Sequence, residues 1–344
     1  MMRGSDREEP ASAGMPGGLR KVELWAVGSA AAFALVALVA GMAAGGTEAL
    51  AHLQRIGPGV LLALLGLSLL NYAVRALRWL LFSAGAGLRV PAGPNLLYYV
   101  AGLAMSTTPG KMGEAVRLWF LRRGHGLAYE RTAGLMIADR LSDAAAAVLL
   151  TLAGLGGAFA GHAAGIGAGA LVVAAASALL LAPRWSRPMV GLAYRIVGRA
   201  PRLFGRIRMM LLHTGRLGTP GMYLGGLALA LVGWGAEAYA LKLLLDALGA
   251  DVTLAQAAFV FCFAILVGAI AMLPGGLGGT EISMVGLLMA LGVEAHLAIA
   301  ATAVIRVTTL WFAVLLGFLA LPAALRTMRA EEAGSLELEA RGPA

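Results

Sequence analysis

Long apolar stretches alternate with short basic ones along this chain. Val22 to Ala44, Pro58 to Phe82, the stretch after Arg131, Ala163 to Ala182, Gly221 to Leu245 and His296 to Leu321 are the main apolar windows. Each reaches the roughly 18–20 apolar residues that a membrane-spanning helix needs. Two stretches break the pattern. Residues 94–108 and 113–121 are apolar but short, with the sequence PGKMGE at 109–114 across their junction; residues 254–273 and 282–291 flank PGGLGGTE at 274–281. Proline and clustered glycine interrupt a helix. Each stretch is therefore predicted to be a re-entrant helical hairpin rather than two spans. The fold class is all-α: a polytopic transmembrane helix bundle of about seven spans plus two re-entrant helical hairpins.

Composition agrees with a chain made for lipid. Hydrophobic residues make up 60% and charged residues 13%, whereas soluble domains carry about 25% charged residues. The mean hydropathy is +0.82. Only one cysteine, Cys262, is present, inside an apolar run, so no disulfide framework or thiolate cluster is expected. The first apolar window follows Arg20 and Lys21 but exceeds the roughly 7–15 apolar residues of a cleaved signal; it reads as a retained helix. Residues 1–21 form a polar N-terminal tail, 22–325 the transmembrane domain and 326–344 a polar C-terminal tail.

Basic residues orient the chain, because they accumulate in cytoplasmic loops. Arg3, Arg7, Arg20 and Lys21 precede the first window; Arg75, Arg78 and Arg89 follow the second window or lie late in it; Arg122, Arg123 and Arg131 follow the first hairpin. The segment 184–216 holds eight arginines and no acid, interleaved with Trp185, Tyr194 and Phe204. It is predicted to be an amphipathic stretch on anionic headgroups at the cytoplasmic face. That placement accounts for the net charge of +9 without a nucleic-acid partner. Both termini are expected in the cytoplasm, with the protein in the inner membrane. Arg78 and Lys242 are expected to snorkel towards an interface.

The two broken segments align with each other. Pro109 and Pro274 are 165 apart, Glu114 and Glu281 167, Arg140 and Arg306 166, and Gly102 and Gly268 166. Repeat units at about residues 58–158 and 221–322 follow, with one crossing between them; that odd crossing inverts the second unit, as in secondary transporters.

Backbone breaks and ionisable groups at membrane depth are costly and point to a site. A helix starting after Pro109 and Gly110 would aim free N–H groups and its positive dipole end inward, beside Lys111, Gly113 and Arg117, elements suited to a phosphate. Pro274, Gly275, Gly276, Gly278 and Gly279 form either an opposing backbone cradle or a close-packing surface. Glu114 and Glu281 either carry protons or partner a cationic headgroup, or pair with Arg140 and Arg306 to pin the fold. Asp139, Arg140 and Asp143 form a tight acid–base–acid cluster, and Glu237 is a further acid on an apolar helix. No catalytic residue, cofactor or metal is expected: the five histidines are scattered, and no Gly-Lys-Ser/Thr phosphate loop is present.

The stretches TTPGKMGEAVRLWFLRR, ADRLSD and LPGGLGGTE resemble the flippase-like transmembrane region of bacterial lysylphosphatidylglycerol synthases and their stand-alone relatives, over roughly residues 22–325. The resemblance implies an inner-membrane protein that translocates a lipid with a charged headgroup. The soluble aminoacyl-transfer domain of the full synthases has no counterpart in residues 326–344, so synthesis is not implied. The expected function is a translocase for a phosphate-bearing lipid headgroup, anionic or polyprenyl-phosphate; the alternative is a membrane-embedded transferase or an accessory subunit working with a separate biosynthetic enzyme. Of the two breaks, the first, with Lys111 and Arg117, is the expected phosphate site.

Overall fold

The computed structural model of the protein describes residues 56–108, 112–158, 220–271, 273 and 275–340. The windows at 22–44 and 163–182, the amphipathic stretch at 184–216, the N-terminal tail, and Pro109, Gly110, Lys111 and Pro274 lie outside the described residues. Within them the chain is all-helical. Helix α1 is Pro58–Gly85, with proline in its first turn, where a missing N–H costs nothing. The first hairpin is α2 (Ala92–Gly102), a 3₁₀ turn (Leu103–Met105), the first break, a second 3₁₀ turn (Met112–Ala115) and α3 (Val116–His125). Then come α4 (Tyr129–Ala158) and α5 (Pro220–Ala247). The second hairpin is α6 (Leu254–Ile270) and α7 (Gly279–Ala290). Helix α8 (Ala295–Arg306) continues through a π turn (Val307–Trp311) into α9 (Phe312–Ala340).

Three of these elements are long and apolar enough to cross a bilayer: α1, α5 and the helix from Ala295 onward. Helices α6 and α7 are apolar but shorter, as a broken pair requires. The last helix runs to Ala340, so the polar residues from 326 to 340 continue it. The alanines, leucines and glutamates of this segment are good helix formers.

Local chemistry sets the ends. Gly126 closes α3 at φ 63°, a left-handed cap that glycine adopts without strain. Arg122, Arg123 and His125 sit in the last turn of α3, where the helix dipole favours cations. Arg131 of α4 donates to the carbonyls of Ala86 and Gly87 at 3.2 and 2.8 Å, closing the end of α1. Helix α6 opens with a reciprocal cap between Thr253 and Gln256. Thr253→Ala should remove it and lower stability by about 1 kcal/mol, read as a shift in thermal unfolding of the purified protein.

Small residues let the helices approach, because apolar burial alone gives little drive for association in lipid. Helix α5 lies on α1 through glycine: a Cβ on Gly233 would come within 3.0 Å of Val74, and Asn71 donates to the Gly233 carbonyl at 3.0 Å. Helix α6 crosses α4 at Gly154, where a Cβ would meet the Ala255 carbonyl at 2.4 Å. In the first hairpin the Tyr98 and Phe120 rings stack at 5.0 Å, joining its two limbs.

Two apolar cores result. One gathers α5, α6, α7 and α8 with Leu64, Ala146 and Ala147; the other gathers α2, α3 and α9 with Trp79, Phe82, Leu135 and Ala138. Helices α1, α4 and α8–α9 pass from one core to the other. The residues at the crossing are polar: Ser68, Asn71, Arg75 and Arg78 on α1, Asp139 and Asp143 on α4, Arg306 at the end of α8, and Thr308 and Thr309 in the π turn. Leu62, Leu224 and Leu319 point outward and are exposed, as on a lipid-facing surface.

Candidate functional site

The polar layer between the cores is one connected charge network. Glu114 stands just before α3, and its Oε2 accepts from Arg117 at 2.5 Å and from Arg140 of α4 at 2.7 Å; its Oε1 accepts from the Ser106 hydroxyl at 3.3 Å. Asp139 accepts through Oδ1 from Arg78 at 2.6 and 2.9 Å and through Oδ2 from Arg140 at 3.2 Å. Asp143 takes Arg78 at 2.8 Å and the Trp234 indole at 3.1 Å on Oδ1, and Arg75 at 3.0 Å on Oδ2. All the carboxylate oxygens of these three acids are engaged. Arg117 also faces the Trp79 and Tyr99 rings, 4.8 and 4.5 Å from their centroids, a favourable cation–π arrangement.

Four guanidiniums, of Arg75, Arg78, Arg117 and Arg140, thus meet three carboxylates. Removing so many charges from a high-dielectric medium costs several kcal/mol per ion before pairing offsets it. A bundle needing only stability is served as well by apolar residues. Several donors are still without hydrogen-bond partners among the described residues, including Nε of Arg75 and Nε of Arg140.

The second break repeats part of this plan. Glu281 Oε1 accepts from Arg306 Nε at 2.6 Å, and its Oε2 accepts from the Gly278 amide at 2.7 Å. Arg306 also donates to the Gly275 carbonyl at 2.7 Å, tying the loop to the end of α8. Gly275, Gly276 and Gly278 have φ of 62°, 70° and 85°, a path that only glycine follows without strain. Glu114–Arg140 and Glu281–Arg306 are thus similar latches, each joining the second limb of a hairpin to the following helix. Gly102 and Gly268 are both closely packed. A Cβ on Gly102 would reach Arg117 at 3.4 Å, and one on Gly268 would reach Thr280 at 2.0 Å and Gly276 at 3.2 Å.

The two breaks meet. A Cβ on Gly275 would lie 3.4 Å from Thr107 Cα. Two cavities flank this contact. The smaller, ≈ 50 Å³, is lined by Asn71, Arg75, Ser106, Glu114, Glu237 and Arg306 among others; the larger, ≈ 250 Å³, lies between α4, α5 and the second hairpin and is lined by Arg140, Asp143, Trp234, Gly276, Thr280 and Arg306 among others. The Ser68 hydroxyl donates to Glu237 at 3.5 Å. Beside the smaller cavity, the Tyr72 hydroxyl donates to the Thr309 carbonyl within the π turn, a local irregularity that often marks a functional site.

Glu114, Arg117, Asp139, Arg140 and Asp143 therefore come together, while Glu237, Gly275, Gly276 and Arg306 line the adjoining cavities. Gly278 holds Glu281 by its amide, and Gly279 packs on Gly268, whose Cα a Cβ on Gly279 would meet at 3.5 Å. Gly113 falls in the 3₁₀ turn 112–115, and the α-helix starts only at Val116. Helical backbone after the first break thus begins as 3₁₀, and Arg117 Nε donates to the Glu114 carbonyl at 3.1 Å. Arg78 does not snorkel: it is fully buried between Asp139 and Asp143, because two carboxylates on the neighbouring helix offer more than a distant interface. The i, i+3 spacing of Arg75 and Arg78 on one helix face is the signal that could have found them; Asn71, Ser106 and Trp234 carried no signal in the sequence.

The fold and this layer define a multi-pass integral membrane protein with a buried ionic centre between two glycine-broken hairpins. The chain belongs to the lysylphosphatidylglycerol synthase TM region family, whose model matches residues 25–317. It is similar to a UPF0104 membrane protein of Pyrococcus horikoshii, 28% identical over 284 residues, covering 75% of this chain and 84% of the relative. Shorter matches join it to UPF0104 membrane proteins of Methanothermobacter thermautotrophicus, 36% identical over 89 residues (26% of this chain, 27% of the relative) and 34% over 97 (28% and 29%).

Proposed function

We propose that this protein translocates a phosphate-bearing lipid headgroup between the leaflets of the inner membrane. The observation that carries the reading is the contact between the two glycine breaks, Gly275 against Thr107, beside a cation-rich network buried between two apolar cores. A headgroup crossing a bilayer needs a polar place part-way, and the interior of this bundle supplies one. The similar latches, Glu114–Arg140 and Glu281–Arg306, support a pair of repeats that are inverted by the extra crossing and rock against each other. The family's name, with its phosphatidylglycerol lipid, supports the substrate class. The arginine-rich loops support cytoplasmic termini, and the spacing of apolar windows supports about seven spans in the whole chain.

Glu114 and Asp143 are each held by at least two guanidiniums and Glu281 by one, which makes arginine the group that meets an anion. Purified protein in liposomes should accelerate leaflet exchange of fluorescent phosphatidic acid, phosphatidylglycerol or a polyprenyl phosphate over protein-free vesicles. Exchange at the protein-free rate for every lipid in that panel would sink the reading.

A further inference from the structure

Both hairpin latches draw on arginines that line one cavity. Arg140 holds Glu114 of the first hairpin, Arg306 holds Glu281 of the second, and both border the ≈ 250 Å³ cavity between α4, α5 and the second hairpin. We propose that this cavity is the phosphate site, and that the phosphate competes with Glu114 and Glu281 for Arg140 and Arg306, so that occupancy loosens both hairpins together. The proposal rests on the translocase reading for its ligand, a lipid phosphate, but its geometry stands on the cavity alone.

Charge and donors support it. Asp143, the acid on the lining, is paired with Arg75, Arg78 and Arg140, whose positive charges offset its repulsion of an anion. Arg140 keeps an unpartnered Nε and a side chain 28% exposed, whereas Arg78 and Arg117 are fully enclosed. Thr280 lines the same wall. A phosphate accepts from planar guanidinium forks as a carboxylate does and carries more charge and oxygens, so the exchange is chemically even-handed.

Exchange of partners also explains why the latches are ionic. A latch of apolar contacts cannot be opened by the cargo, because the cargo makes no stronger claim on either side. A ligand shifts a conformational equilibrium only by its differential affinity for the two states. Here the differential lies in the guanidinium contacts: they go to carboxylates in the latched form and to phosphate in the loosened one.

The test is equilibrium binding to the purified full chain in detergent, by calorimetry, with short-chain phosphatidic acid, short-chain diacylglycerol and inorganic phosphate as the separate probes. Phosphatidic acid should bind and diacylglycerol should not. Arg306→Gln should weaken binding tenfold or more and Arg306→Lys less. Glu281→Gln keeps an oxygen for the Gly278 amide but withdraws the competing charge, and should tighten binding several-fold. Thermal unfolding of each variant separates loss of the site from loss of the fold.

Glu281→Gln that weakens binding while unfolding like the parent would overturn the competition. Unchanged affinity in folded Arg306→Gln and Arg306→Lys would overturn the site, as would equal binding of diacylglycerol by the unaltered protein. Inorganic phosphate binding with phosphatidic acid excluded would overturn the lipid assignment. Lipid binding with these variant effects but without leaflet exchange would support the site while removing the translocase reading. Exchange that survives in a variant lacking both arginines would do the reverse.

Discussion

Arg78→Met should be the most damaging single change to the charge network, lowering stability by about 3–5 kcal/mol. The residue is fully buried and supplies the contacts at 2.6 and 2.9 Å to Asp139 and at 2.8 Å to Asp143. Methionine fills much of its volume, so the loss is electrostatic. Two carboxylates lose a shared cation while still out of water, and an uncompensated buried charge is what makes breaking such a pair costly. Asp139→Asn should be damaging for the converse reason. Residues in one network do not contribute independently. The double variant Arg78→Met with Asp139→Asn is therefore expected to be less destabilised than the sum of the two single ones. Thermal or denaturant unfolding in a defined detergent reads all three. Strict additivity would show that the network is a set of separate pairs.

Gly317→Ala should disable the first hairpin. A Cβ at this position of α9 would sit 2.0 Å from the Ala104 nitrogen, 2.6 Å from its Cα and 2.7 Å from the Leu103 carbonyl carbon. These are backbone atoms of the 3₁₀ turn that leads into the first break, so no side chain can swing aside. Overpacking usually costs about 1–3 kcal/mol, and relief here requires α9 or the break itself to move. Such movement would displace Thr107 from Gly275 and Ser106 from Glu114. Gly286→Ala on α7 is the control, because a Cβ there meets nothing within 4 Å. Leaflet exchange and unfolding temperature should both fall for Gly317→Ala and hold for Gly286→Ala. Normal exchange by a folded Gly317→Ala protein would remove the first break from the transport path.

Several parts of the centre were readable because charge in an apolar helix has few innocent explanations. Glu114, Asp139, Arg140, Asp143, Glu281 and Arg306 stand out against their neighbours, and the near-constant separation of about 166 residues pairs Glu114 and Arg140 with Glu281 and Arg306. That spacing left the paired latches as one of two readings, and the distances of 2.7 and 2.6 Å show the pairing. Asn71, Ser106 and Trp234 were invisible, since a polar or aromatic residue at a helical position says nothing about what stands opposite. The expected snorkelling of Arg78 fails for the same reason. Snorkelling is judged from one helix, but burial is decided by the carboxylates of another.

The proposed phosphate site stands against the second break rather than the first. Lys111 and Arg117 favoured the first break in one dimension, yet Arg117 is spent on Glu114 and two aromatic rings, and the larger cavity lies against the second. By itself the sequence determined that the chain is an all-helical membrane protein, where its two helical breaks fall and which charges stand out in apolar helices, because the cost of placing polar groups in lipid is a property of each segment alone. Only the tertiary structure decided that the breaks touch and that Arg140 and Arg306 share a cavity. Those facts depend on helix crossings set by glycines such as Gly154, Gly233 and Gly317, and a crossing exists only between segments far apart in the chain.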